Sequence, residues 1–312
     1  MIHIDRIVGG RINAFAITAL VIILVASGAN PVISAQAADS ISMTYSFSKP
    51  VITQITVDDV IYDQVTIQDA PCSGDPGEPL LPTKGAYLLL PADTKVKSIT
   101  ITGERILVGS GLSIIPCGAP IPLVPDAPAI VPEPNQMVYT SGEEYPGKLY
   151  SEVGVYQFRG YSILVLLLFP VQYIPLTGDL FYYQTLTVTV HLMDQTSEKL
   201  LFRNTQTDQS ELLDKIENPS VESTYRQPFH APIFSDQYDL LILTTDAFKA
   251  GFQPLADQHN VTGKQTVIRT LNDVGGSSPE AIRSYIQNAY TTMGISYVLL
   301  GGDTESIPAK ML

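Results

Sequence analysis

Alternation with a period of two dominates the first two thirds of the chain. From Val51 to Ile67 the residues read as short strands, with Val51, Thr53, Ile55 and Val57 on one face. Ala86 to Leu90 and Ser98 to Ile101 predict two more strands around Pro91-Ala92-Asp93. Tyr150 to Phe158 and Tyr161 to Phe169 follow, joined by Arg159-Gly160, and the continuous apolar run from Ile163 to Phe169 suits a strand buried on both faces. Tyr182 to Leu192 sets Leu186, Val188, Val190 and Leu192 inward and Thr185, Thr187, Thr189 and His191 outward. Strands at this spacing, with turn signals between them, predict an all-β, sandwich-like module. Seven prolines between Pro116 and Pro134 keep the backbone extended and exclude a central strand, so that segment reads as a strap across a sheet.

The pattern then changes twice. Residues 196–235 are rich in Gln, Ser, Thr, Asn, Asp and Glu, and read as a linker with little order of its own beyond a short helix at Ser210 to Ile216. After Asp236 the period becomes 3.6. Tyr238 to Leu243 has the look of a central parallel strand. Asp246 then caps a helix whose stripe is Phe248, Phe252, Leu255, Ala256 and His259, with Pro254 demanding a kink or a late start and Gly263 closing it. Gln265 to Thr270 is the next strand. Ser278-Pro279-Glu280 opens a second helix with the stripe Ile282, Tyr285, Ile286, Ala289 and Met293, and Ser296 to Leu300 is a third strand running into Gly301-Gly302-Asp303. This is βαβαβ, the opening of a parallel sheet. Three strands and two helices leave a sheet edge and much of both faces short of partners, so the stretch reads as part of a larger fold.

The predicted domains are therefore 1–37 as a signal peptide, 38–195 as the β-rich module, 196–235 as the linker and 236–312 as the first part of an α/β domain. The first assignment rests on Arg6 and Arg11, the apolar stretch from Ile12 to Ala29 and the small-x-small site Ala35-Gln36-Ala37. An uncleaved anchor is the competing reading, and a membrane partner is expected only in that case. Composition adds that the chain is acidic, with 18 Lys+Arg against 31 Asp+Glu and a formal charge of −13, which argues against nucleic acid as a partner. Export would take Cys72 and Cys117 into an oxidising compartment, where they could pair; the alternative is two unpaired cysteines in Pro/Gly loops. Neither has an electropositive or His-bearing neighbourhood, so neither reads as a nucleophile.

Searching for chemistry returns little. There is no His-Glu-x-x-His, no Cys-x-x-Cys, no phosphate loop, no Gly-x-Gly-x-x-Gly after a strand and no Gly-x-Ser-x-Gly elbow. Beyond the leader the histidines are His191, His230 and His259, the last on a helix stripe where a boundary role is the ordinary one. Asp303 follows the third strand, where open α/β sheets place ligands, and Asp239 and Asp246 flank the first. Asn260-Val261-Thr262 is a weak glycosylation sequon. No catalytic set is complete, no cofactor is implied, and metal binding is unreadable.

Tyr238-Asp239-Leu240-Leu241-Ile242-Leu243-Thr244-Thr245-Asp246-Ala247-Phe248, Gln253-Pro254-Leu255-Ala256, the Ser278-Pro279-Glu280-Ala281-Ile282-Arg283 helix start and Tyr297-Val298-Leu299-Leu300-Gly301-Gly302-Asp303 with Ile307-Pro308 resemble the start of the catalytic domain of gingipain-type cysteine peptidases. Gly77-Glu78-Pro79 with Leu81-Pro82, the strand into Pro91, and Phe169-Pro170-Val171-Gln172-Tyr173 with Pro175, Gly178 and Tyr182-Tyr183 look like that family's prodomain. The resemblance covers most of residues 75–310. It implies a caspase-like α/β peptidase made as a secreted zymogen, with a β-rich prodomain packing on its own catalytic domain, and a protein or peptide substrate. The family's nucleophilic Cys and base His come after later strands and match nothing in these residues. Gly302 and Asp303 then read as a fold signature near the site, and the 312-residue chain alone is expected to be inactive. Arg203 and Arg226 are the linker's arginines, and Arg226 is the candidate activation cleavage site; a solvated linker charge is its ordinary reading. A second class stays open: a non-catalytic secreted surface or binding protein that reuses the β-module and half of the peptidase sheet.

Overall fold

The β-strand alternation read from the sequence is built into three small antiparallel sheets sharing one core. The computed structural model describes residues 39–120, 133–195, 201–225 and 237–308. Its elements in the first part are β1 (Ser40–Ser46), β2 (Val51–Val57), β3 (Val60–Thr66), β4 (Cys72–Ser73), β5 (Leu81–Pro82), β6 (Lys84–Leu89), β7 (Thr94–Thr102), β8 (Arg105–Gly109), α1 (Gln136–Tyr139), β9 (Tyr150–Phe158), β10 (Tyr161–Leu168), β11 (Val171–Ile174), β12 (Asp179–Tyr183) and β13 (Thr185–Asp194). The three-stranded sheets run β1-β13-β7, β6-β10-β9 and β11-β12-β8, and β2-β3 and β4-β5 are hairpins. Central β13 shows why they associate: Leu186, Val188 and Val190 are fully buried, while the threonines between them line the other face. In β10, Leu164, Leu166 and Leu168 join the same core, whereas Ile163 faces a second cluster, so the strand is covered on both sides as its unbroken apolar run predicts. Arg159 and Gly160 turn β9 into β10 with φ of 50° and 84°, the left-handed pair that a two-residue hairpin requires.

Two details of the β-module differ from the sequence reading. Val51 points to solvent, and its neighbour Ile52 packs on the core instead, because the β2-β3 hairpin stands apart and presents its other face inward. The run from Tyr182 to Leu192 is two strands broken at Gln184, each belonging to a different sheet. Residues 1–38, which hold the expected signal peptide, and residues 121–132 of the proline-rich strap lie outside the described residues.

The segment read as a linker is the larger correction. Residues 201–225 are ordered and fold back on the β-module. They carry α2 (Gln206–Leu213), begun by Thr205 accepting from the Asp208 N–H, and a 3₁₀ turn at Pro219–Tyr225. Phe202, Leu212, Ile216 and Tyr225 build the second core with Leu89, Tyr161 and Ile163. Polar composition hid this because its few apolar residues are spaced by packing on strands already formed. Hydrogen bonds complete the seat. Asn218 uses its amide like a strand backbone, accepting from Leu89 N at 2.7 Å and donating to Leu89 O at 2.9 Å, while Glu217 N donates to Tyr87 O at 3.0 Å. The β6 edge is thereby closed. Tyr225 Oη accepts from Ser162 N and donates to Leu90 O. We call this stretch the clamp.

From residue 237 the architecture changes to parallel α/β: β14 (Leu240–Thr244), α3 (Asp246–Val261), β15 (Thr266–Thr270), α4 (Leu271–Val274), α5 (Pro279–Thr292) and β16 (Tyr297–Gly301). The sheet order is β15-β14-β16, with β14 central and buried along its whole length. Its alternate residues serve the two faces: Leu240 and Ile242 meet Ala256 and Phe252 of α3, and Leu241 and Leu243 meet Ala289 and Ile282 of α5. The expected α3 stripe is only half used. Phe248 and Leu255 are exposed, since three strands are too narrow to cover more than the Phe252 and Ala256 part of it. Pro254 sits inside a helix that starts at Asp246 and runs past it, so the late start does not occur.

One position tests how the clamp is seated. A Cβ on Gly160 would lie 2.6 Å from the backbone N and Cα of Phe202, at a φ of 84°. Gly160→Ala is expected to lower the unfolding free energy by about 2–5 kcal/mol, from the left-handed conformation plus overpacking against backbone. Gly111→Ala, with φ of 70° and nothing within 4 Å, should lose only the conformational part. Urea titrations of both variants check this, and equal losses would refute the close approach.

Candidate functional site

Parallel strands in register present their carboxyl ends together. Here Thr244 stands opposite both Thr270 and Gly301, which makes a rim where open α/β sheets take ligands. Thr244 Oγ1 donates to Gly301 O at 2.6 Å, fully buried. Gly301 has no room for a side chain, since a Cβ would meet the Phe252 ring at 2.5 Å. Beyond it Asp303 is exposed, and its carboxylate accepts from the backbone N–H of Ser306 at 2.9 Å and of Glu305 at 3.1 Å. Those bonds, that to Ser306 first, hold the Asp303 carboxyl below its ordinary range. The turn they stabilise lowers Ile307 into the core beside Leu243 and Ile282. Gly302-Asp303 thus shapes the loop leaving β16. Nearby, Asp246 accepts from the Asn272 amide, and Asp273 caps Thr270 at 2.7 Å.

The other residues singled out from sequence are scattered. Asp239 ties strands together at the opposite end of the sheet, accepting from Gln265 N at 2.8 Å. His259 is half-buried in the last turn of α3, and His191 lies on the outer face of β13 with Thr100 Oγ1 at 3.5 Å. Asn260 spends its side-chain oxygen on Thr266 N at 2.7 Å. The bond weighed for Cys72 and Cys117 is not formed here: both are free thiols, Cys72 donating to Val65 O at 3.3 Å and Cys117 to Gly118 O at 3.6 Å. Burial pushes the Cys72 thiol up, away from a nucleophilic thiolate. Arg226 and His230 lie outside the described residues. Among the described residues no group of His, Cys, Asp and Glu could hold a metal ion.

What sequence reasoning missed is a buried charge cluster in the clamp. Asp208, fully buried, receives Arg203 Nη2 at 2.6 Å and Nε at 2.9 Å, and Arg159 Nη1 at 2.7 Å; Arg159 Nη2 also reaches Glu211 at 2.6 Å. Burial alone would raise the Asp208 carboxyl, but the bonds and charge of Arg203, with Thr205 and Arg159, outweigh it and hold it below the ordinary range. Arg203 turns its remaining nitrogen out of the clamp. Nη1 donates to Ile295 O at 2.9 Å and Tyr290 O at 3.3 Å, and the guanidinium lies 3.7 Å from the centre of the Tyr290 ring. Those carbonyls sit at the end of α5 and just before β16, where a helix leaves acceptors unfilled. The only signal for any of this was Thr205-x-x-Asp208, a helix-start pattern.

Comparison with known proteins follows the same division. The family model Propeptide_C25 matches residues 26–226, and that of peptidase family C25 matches residues 234–311. Curated relatives include gingipain R1 of Porphyromonas gingivalis, 23% identical over 246 residues, covering 75% of this chain and 24% of the relative. Gingipain R2 of strain W83 is 22% identical over 247 residues, covering 75% and 32%. The chain therefore spans about a third or less of the relatives it matches. Among solved structures, a complex of P. gingivalis RgpB pro- and mature domains matches with a TM-score of 0.48 at 17% identity, over 60% of this chain and 96% of that one. A gingipain K structure described for its zymogenic latency matches with a TM-score of 0.43 at 16% identity, over 50% and 88%.

The charge cluster gives a pH prediction. A carboxyl whose folded pKa is depressed contributes stability that is complete above its unfolded value, about 3.9 for Asp, and is lost as pH falls through the lower folded value. Asp208→Asn should cost about 3–5 kcal/mol at pH 7, because it leaves the buried Arg203 without its carboxylate and Arg159 with Glu211 alone. The gap between variant and parent should stay flat from pH 7 to 5 and narrow below about pH 4. Urea unfolding across that range measures it; a gap unchanged down to the lowest pH would show that Asp208 is not ionised in the fold.

Proposed function

The chain belongs to the C25 cysteine peptidase family, and on that premise we propose that it is the N-terminal portion of a secreted, gingipain-like endopeptidase precursor. The observation that carries the reading is one junction reached twice. The propeptide match ends at residue 226 and the peptidase match begins at 234, and the same interval separates antiparallel sheets with their clamp from the parallel βαβαβ unit.

On this reading the β-module and clamp form the inhibitory prodomain, packed on its own catalytic domain, and the substrate is a protein or peptide. Hydrolysis requires a thiolate beside an imidazolium. The sulfur attacks the scissile carbonyl, the imidazolium gives its proton to the leaving amine, and water then cleaves the thioester. The chain's two cysteines both precede residue 226, so the working pair is proposed to lie in later strands of the longer protein, at the rim that Gly301 to Asp303 begins. What the present residues supply there is the floor: Thr244 locking Gly301, and Asp303 shaping the loop. The segment 1–37 is proposed as the export signal.

Arg226 is the proposed activation site. It is the last residue of the propeptide match, and the chain there joins two separately built parts. N-terminal sequencing of the processed enzyme should find Gln227 at the start, and a start far from it sinks the assignment. Residues 38–312 expressed alone should show no peptidase activity. Hydrolysis sensitive to a thiol inhibitor by that purified protein would overturn the placement of the catalytic pair.

A further inference from the structure

We propose that Arg203 is the anchor by which the clamp grips the peptidase part, so that one side chain governs how long the prodomain stays seated after the connection near Arg226 is cut. This rests on the zymogen reading and goes beyond it by naming the interaction surface. Three observations carry it. The hydrogen bonds described between residues 39–225 and 237–308 gather at the Asp208 cluster: Arg203 donates to the Tyr290 and Ile295 carbonyls, and the Tyr290 hydroxyl meets Asp208 at 3.4 Å with Arg159 also in hydrogen-bond contact. Beside them lies a cavity of about 620 Å³, lined on one side by Thr94, Gln157 and Tyr225 and on the other by Gln287, Asn288 and Thr291, so the two parts do not pack directly there. Arg203 is itself nine-tenths buried and aimed by Asp208, which fixes two of its nitrogens and leaves the third for α5.

The chemistry suits an anchor rather than a surface ion pair. A planar cation stacked on Tyr290 fills one acceptor that the end of α5 leaves open, Tyr290 O, and one in the connection to β16, Ile295 O, and its own charge is neutralised from the clamp side. Lysine offers neither the fork nor the stack. Losing the anchor leaves buried carbonyls unpaired on one part and a buried carboxylate with one fewer partner on the other, and both penalties favour separation.

The test uses the full chain with the recognition sequence of a site-specific protease replacing residues 228–234, cut after purification. Dissociation of the two pieces is followed by size exclusion and by exchange against labelled protein. The parent pieces should stay together. Arg203→Met should speed dissociation on the order of a hundredfold, Arg203→Lys should lie between, and Tyr290→Leu should speed it about tenfold. Tyr290 lies on α5, so its substitution decides the matter even where Arg203→Met fails to fold. Parent pieces that separate at once, or Arg203→Met and Tyr290→Leu pieces that are folded and separate no faster than the parent, overturn the proposal. Because the cut is imposed, a natural cleavage elsewhere than Arg226, which would count against the zymogen reading, leaves this comparison intact.

Discussion

Asp208 holds two arginines that come from different segments of the chain, and much of the molecule's arrangement hangs on that. Arg159 belongs to the β9–β10 turn, Arg203 enters the clamp, and the carboxylate between them is out of reach of water. A buried charge is expensive unless its partners are well placed, so each member of the group fixes the others. The turn must present Arg159, which requires Gly160 beside the Phe202 backbone; the helix must begin at Gln206, so that Asp208 falls in its first turn. The outcome is a clamp committed to one position on the sheet and a guanidinium committed to one direction away from it.

The location of that contact matters as much as its strength. Ile295 precedes β16 and Tyr290 ends α5, so the grip is at the amino end of the parallel sheet. The rim at Thr244, Thr270 and Gly301 is at the other end, roughly 13 Å away along the five-residue strands. The proposed anchor and the rim are therefore at opposite ends of the sheet: the clamp can hold the two parts together without itself occupying the rim.

Legibility in the sequence followed how local each cause was. Strands such as β13 and β10 could be read because alternation and unbroken apolar runs report burial directly. The βαβαβ unit could be read because Ser278-Pro279 and Gly263 punctuate it. The clamp could not. Phe202, Leu212, Ile216 and Tyr225 have no period of their own, because they fit grooves made by β6 and β10, more than a hundred residues earlier for β6. Likewise Val51 and Ile52 could not be told apart without knowing which face of a detached hairpin meets the core. At the rim, Gly301-Gly302-Asp303 could be read from its place after the third strand and from resemblance, but its physical duties, clearance for Phe252 and a turn held by a carboxylate, needed coordinates. Arg203 read only as one of the linker's two arginines, since nothing near it in sequence reveals that its partners are Asp208 and two distant carbonyls.

Asn218 gives the clamp a second duty. Its amide sits where a neighbouring strand's peptide group would, and it hides the last open hydrogen-bonding positions of β6. While the clamp is down, that sheet has a finished border. Without the clamp, β6 would present a bare strand edge beside Leu89, Tyr161 and Ile163, newly wetted. An edge bared in that way would accept any extended peptide as a further strand, and the clamp's own side chains forestall this without a covering strand.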